Sequence, residues 1–522
     1  MRDFTEVQEM VQDMKLFAKT HKNALLVNAV MVCICYLHMA FSQNVGIDTE
    51  RIIVAEGPLL DSWKTVGRQG LLLSKMIGMP GGYNPYLSGM IFLLGFMLLG
   101  ALIGFLCWTV SGRDDGYPYG LFMALFAVCP VWMPQFYFAL QRAEVVLGMI
   151  YAVISVFALS RLIYDKWGKG RMVIWAVFGL AFGVWSFCTY QGCVAFYIGL
   201  CIMVFLMDFA KSYREKQWRE YAWAILGLIG GFAAVYVVNM AITKIFFGQG
   251  QYLQGQIVWG QASISDIIHN ILRHVKNVLF WENAVYRSVY PLVCVCLAIV
   301  WIAFCFKREY KISIKVVFTL ALAGLLLTPF LLTIYMGNEP AVRSQFALQL
   351  IAAFGCMFAY GIWSRQDARK CLWGRRAVMA VCVVAIWFSV ATNLRLLYTD
   401  DVRNQEDLRV AGQIAQDIQR MKGADNLPII CVGGYEARLN EASERVDMYG
   451  VSFLSWDYTP ASLAGATGRV VGIMNTMGID INGTLEYQDE AIELAKEMAH
   501  YPHNGYISVQ DSYVIVKLSD IK

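Results

Sequence analysis

Charge is missing from the long apolar stretches of this 522-residue chain: eleven of them can be marked, and none holds Lys, Arg, Asp or Glu away from its ends. Ion-coupled transporters place acids or arginines inside their spans, so this absence weighs against that class. Histidine is scarce too. Of the six, His269 and His274 lie five residues apart, which is not the spacing of a zinc pair. No Gly-rich nucleotide loop and no serine nucleophile motif is present, which argues against a nucleotide-linked donor and against acyl-enzyme chemistry. Fourteen cysteines occur, but only Cys431 falls in the last 129 residues, so that part has no disulfide framework. The others lie mostly in apolar stretches, where Cys acts as a small apolar residue.

What is present is hydrophobic residues, 58% of the chain, with a mean hydropathy of +0.49, the composition of a multispanning membrane protein. A bilayer core needs about 20 apolar residues per helix. Spans are expected near 24–43, 86–110, 118–139, 144–160, 172–189, 193–208, 221–243, 288–306, 316–335, 345–363 and 377–393. The first follows more than twenty polar and amphipathic residues and has no small-residue cleavage site, so it reads as a retained helix. With residues 1–22 placed in the cytoplasm, the inner segments hold 22 Lys and Arg and the longer outer ones 10. That asymmetry obeys the positive-inside rule, and eleven spans then put the C-terminus outside.

Three regions are therefore expected: a cytoplasmic segment 1–22, a membrane domain 23–395, and a small extracytoplasmic α/β domain 396–522. Residues 394–522 carry 11 basic and 19 acidic side chains, a balance of −8 that argues against nucleic-acid binding. A helix is expected from about Asn404 to Met421, a buried strand at Leu427–Val432, the apolar run Arg469-Val470-Val471-Gly472-Ile473, a helix from Asp489 to Ala499, and a closing strand pair at 505–509 and 512–518. Gly433-Gly434 after the first strand reads as a plain turn. Two amphipathic helices are expected on the outer surface. In 59–77, Leu59, Trp63, Val66, Gly70, Leu73 and Ile77 oppose Asp61, Lys64, Arg68 and Lys75; in 263–280 an apolar row opposes Asn270, Arg273, His274 and Asn277, with Ser263 and Asp266 as an N-terminal cap.

Chemistry is expected in the outer loops. Asp48 and Glu50 follow the first span, one residue apart: an extended segment would point both to one side, and a helix would splay them by about 200°. Such a pair can deprotonate a hydroxyl, hold a divalent metal or orient a substrate. Glu144 is a third acid at the mouth of the fourth span, either part of the site or paired with Arg142. A phosphate leaving group calls for guanidinium groups. Arg68, Arg142, Arg287 and Arg343 are the outer candidates, of which Arg68 and Arg343 are favoured.

Gly46-Ile47-Asp48-Thr49-Glu50, Trp63 with Gly67-Arg68, Asn84-Pro85-Tyr86, and Pro340 with Arg343 together make the chain resemble the bacterial membrane glucosyltransferases of the O-antigen serotype-converting type, within the C-type glycosyltransferase fold. The resemblance covers roughly residues 20 to 395. It implies a polytopic α-helical enzyme of the bacterial plasma membrane, taking a sugar, often glucose, from a polyprenyl phosphate carrier to a cell-surface glycan on the outer face. A donor-synthesising transferase and a flippase would act upstream. An acid of the first outer loop would be the base, which maps to Asp48 with Glu50 beside it. Many members have two adjacent aspartates here, whereas this chain has Asp48-Thr49-Glu50, which leaves open which acid acts and whether a metal takes part. A lipid-linked glycan flippase and an oligosaccharide polymerase or ligase are the rival functions, and a receptor role for the C-terminal domain is a third.

Overall fold

The computed structural model describes residues 2–165, 168–246, 255–364 and 372–521; parts of two loops counted as inner, 166–167 and 365–371, lie outside the described residues. Among the described residues, ten helices are long and apolar enough to cross a membrane, and a bent pair, Tyr119–Val128 with Pro130–Phe136, makes an eleventh if read as one span. The expected stretches all fall on these elements. The last departs most, because 377–393 belongs to a single 49-residue helix, Leu372–Arg420, that runs on through the helix expected at 404–421.

The third stretch, expected as one span, breaks at Cys129-Pro130 and turns by 46°. Proline has no N–H to donate and forces the residue before it out of the helical region; Cys129 accordingly has ψ 122°. The break frees carbonyls in an apolar layer where water cannot reach them. Each is met by a side chain. Trp132 Nε1 donates to Phe126 O at 2.7 Å, Tyr36 Oη to Ala127 O at 2.8 Å, and Asn393 Nδ2 to Val128 O at 2.9 Å. The end of Tyr119–Val128 is thereby tied to the first and last spans, through Tyr36 and Asn393.

The amphipathic stretch 59–77 is not one helix. Glu56–Thr65 ends, Gly67 takes φ +78°, and Gln69–Gly78 begins in a new phase. Leu59 and Trp63 stay buried as expected, but Leu73 and Ile77 turn outward with Met76, and Lys75, expected on the polar face, is buried. Gly70 explains the close seat of the second half. A Cβ there would stand 2.5 Å from Trp185 O, and Trp185 Nε1 donates to Gly70 O at 3.1 Å.

The second stretch forms helix Ile264–Leu279 as expected, with Ser263 Oγ accepting from Asp266 N at 3.1 Å. One side chain departs from the expected faces: His274 is fully buried.

In the C-terminal region, β1 (Ile429–Val432), β2 (Ile507–Val509) and β3 (Val514–Lys517) form a sheet of order β1-β3-β2, parallel between β1 and β3 and antiparallel between β2 and β3. Alternation sorts its two faces. Ile429, Cys431, Val514 and Val516 pack with Ile414 and Ile418 of the long helix, while Ile430, Val432 and Ile515 pack with Ala491 and Ala495. The run 469–473 is part of a helix, Thr467–Thr476. Gly433-Gly434 is a turn whose amides are taken by Leu463 O at 2.9 Å and Ser519 Oγ at 3.2 Å, leaving neither for a phosphate.

Candidate active site

Asp48 adopts φ 61°, a left-handed conformation that Asp and Asn tolerate better than most residues, and helix Thr49–Val54 starts directly after it. Because Asp48 lies outside the helix, the two acids neither line up as in a strand nor splay as in a helix. They converge on one atom. Arg469 Nη1 binds Asp48 Oδ1 at 3.0 Å and Glu50 Oε1 at 2.5 Å, while its Nε binds Asp457 Oδ2 at 2.7 Å. The Glu50 side chain is 1% exposed and that of Asp48 is 30% exposed, so of the two only Asp48 is open to its surroundings. Burial raises the Glu50 carboxyl above its usual range, and the Arg469 guanidinium pulls against that rise.

The long helix fixes the residues leading into this pair. Arg403, fully buried, donates to Val45 O at 2.8 Å and pairs with Asp400 and Asp407, and Asn404 Oδ1 accepts from Val45 N at 3.0 Å. Tyr137 closes the other side: a Cβ on Gly46 would stand 2.9 Å from its ring, so a larger residue at 46 would push it away.

Loop 137–141 is also where the cations gather. Arg68 Nη1 donates to Gln141 Oε1 at 3.2 Å and its guanidinium lies over the Tyr190 ring at 5.1 Å. Arg343 lies over the Phe138 ring at 5.2 Å. The structure thus brings Arg68 and Arg343 to one loop, and Tyr137 of that loop touches the approach to Asp48. Arg142 is buried, donates to Ala40 O at 3.4 Å and lies over Phe92. Glu144 does not pair with it. Glu144 is buried against Lys75, Oε1 to Nζ at 2.8 Å, and the same Nζ donates to Leu140 O at 2.7 Å.

The segment carrying Arg343 is strapped to helix Ile264–Leu279. His274 Nδ1 is 2.7 Å from Thr333 Oγ1 and its Nε2 3.2 Å from Gln345 Oε1; Gln345 Nε2 donates to Pro340 O at 2.9 Å; Tyr286 Oη donates to Glu339 Oε1 at 2.7 Å. Burial lowers the His274 pKa, so the ring is neutral at neutral pH. His274→Ala takes away the partner of the Thr333 hydroxyl and of the Gln345 amide oxygen at a buried site. We expect a loss of about 1–3 kcal/mol, measurable by denaturation of the protein in detergent. An unchanged midpoint would show that water replaces the ring.

One oxygen of each acid, Asp48 Oδ1 and Glu50 Oε1, faces Arg469 and, at 3.9 and 3.8 Å, Arg51 Nε, so cations already hold the side on which the two converge. Glu50 Oε2 is buried without a partner, and among the described residues no group of three His, Cys, Asp or Glu is placed to hold an ion. Sequence reasoning missed Arg469 and the burial of Lys75. The one signal for Arg469 was a lone cation at the head of an apolar run.

Comparison with known proteins gives a match of residues 37–360 to the family model described as Glucosyl transferase GtrII. No curated protein matches the chain. Among solved structures, the crystal structure of ArnT from Cupriavidus metallidurans bound to undecaprenyl phosphate aligns over 95% of this chain and 97% of that one, at 13% identity and a TM-score of 0.37.

Proposed function

Because this multi-pass membrane protein belongs to the GtrII glucosyltransferase family, we propose that it takes a sugar, glucose foremost, from a polyprenyl phosphate carrier to a cell-surface glycan at the outer face of the bacterial plasma membrane. The N-terminus is then cytoplasmic and the C-terminal α/β region extracytoplasmic. A donor-synthesising transferase and a flippase supply the carrier-bound sugar. The observation that carries this reading is that two arginines, Arg68 and Arg343, stand on one loop, 137–141, whose Tyr137 packs against Gly46, two residues before the partly exposed carboxylate of Asp48.

In this reading the acceptor hydroxyl attacks the anomeric carbon while Asp48 takes its proton. The bond between that carbon and the phosphate oxygen breaks, and polyprenyl phosphate leaves with an added negative charge. Arg68 and Arg343 bind it. Arg68 Nε is buried with no protein partner among the described residues, so it has capacity for such a ligand. Glu50 is sealed from substrate and supports Asp48. Glu144 acts at one remove, through Lys75 and the helix Gln69–Gly78 that follows Arg68.

The test is transfer of labelled glucose from polyprenyl phosphate glucose to isolated surface glycan by the purified protein in lipid nanodiscs. Label on the glycan supports the reading. Labelled lipid crossing the bilayer of proteoliposomes without transfer would make the protein a flippase instead. In the same assay Arg343→Ala removes a charge-assisted contact, and KM for the donor is expected to rise about 10- to 100-fold; an unchanged KM would place the phosphate elsewhere.

A further inference from the structure

We propose that Arg469, from the C-terminal α/β region, is a positioning residue of the transferase site that holds the Asp48–Glu50 pair so that Asp48 alone faces the acceptor. The inference rests on the function proposed above. It extends the site beyond the family match, which ends at residue 360.

Three observations carry it. The guanidinium serves both acids from one nitrogen and Asp457 from another, a fork that fixes their relative placement. Helix Thr467–Thr476 sits directly on the helix that carries Glu50, since a Cβ on Gly472 would stand 2.6 Å from Glu50 Cγ. And two carboxylates sharing one partner atom repel each other unless a cation lies between them.

The other charged groups facing the pair do not replace Arg469. Arg51 is 3.8 Å from Glu50 but 57% exposed, so solvent screens it. Arg403 is engaged by Asp400 and Asp407. Tyr137 and Asp457 bring no positive charge. With Arg469 removed, Glu50 becomes harder to ionise, and Asp48 loses the contact that aims it.

The test uses the full-length protein in nanodiscs, with Arg469→Gln, Arg469→Lys and the double variant Arg469→Gln/Glu50→Gln. Melting is followed against pH. Removing the cation penalises ionised carboxylates, so the Tm gap between wild type and Arg469→Gln should be widest at neutral pH and close as the acids protonate. The double variant should recover much of the loss. A gap independent of pH, or no recovery, would reduce Arg469 to packing and overturn the proposal. With polyprenyl phosphate glucose as donor, Arg469→Gln should lower kcat at least tenfold with KM little changed, and Arg469→Lys should restore part of the loss. Wild-type kcat would also overturn it. If wild type itself transfers nothing, the proposed function fails, and positioning in a transferase fails with it; the melting arm then still reports whether Arg469 clamps the acids.

Discussion

Asp48→Asn is expected to reduce transfer by about 10²- to 10⁴-fold, the usual worth of a positioned general base, while leaving the protein folded. Asparagine accepts the left-handed backbone at φ 61° that Asp48 adopts, and its amide oxygen can still accept from Arg469. The substitution therefore removes the proposed base and little else. Glu50→Gln makes the converse case. Glu50 is sealed under helix Thr467–Thr476, so that change should show first in stability, with a smaller loss of rate. Turnover of polyprenyl phosphate glucose measured beside melting temperature separates the two. Full transfer by a normally folded Asp48→Asn protein would end the assignment of the base.

Lys75→Met carries the largest expected cost in stability. Lys75 and Glu144 are both buried, and Glu144 Oε2 has no partner of its own among the described residues. Removing the ammonium leaves a carboxylate uncompensated in an apolar layer, at about 3–5 kcal/mol. The double variant Lys75→Met/Glu144→Leu removes both charges and should recover most of that loss, because two apolar side chains can replace a buried pair at little cost. Denaturation midpoints of the three proteins check this. A Lys75→Met protein as stable as wild type would mean that water reaches Glu144.

The spans were legible because about 20 apolar residues without charge admit few other readings. The break in the third was announced by Pro130 and Pro134 inside 118–139, a signal outweighed by the length of the apolar run. Lys75 was read to the wrong face for a local reason. Counting in threes and fours through 59–77 assumes one helix, and the turn at Gly67 resets the count. His274 was assigned to a polar face by residue type, though its partners Thr333 and Gln345 lie 59 and 71 residues away. Arg469 was out of reach for the same reason on a larger scale: its contact with Asp48 joins residues 421 apart, and no periodicity reports such a pair.

The donors at the break after Val128 have a consequence for how the protein is made. Trp132 and Tyr36 lie within a hundred residues of the carbonyls they serve, so those bonds can close as soon as the first and third spans meet. The Val128 carbonyl must wait for Asn393, 265 residues later, which at about 5–20 residues per second is roughly 10–50 s of synthesis. Asp48 waits longer still for its cation. A nascent chain stopped before residue 393 holds an unmatched carbonyl in the apolar layer. One stopped between 393 and 469 can complete its spans and still leave the acid pair open.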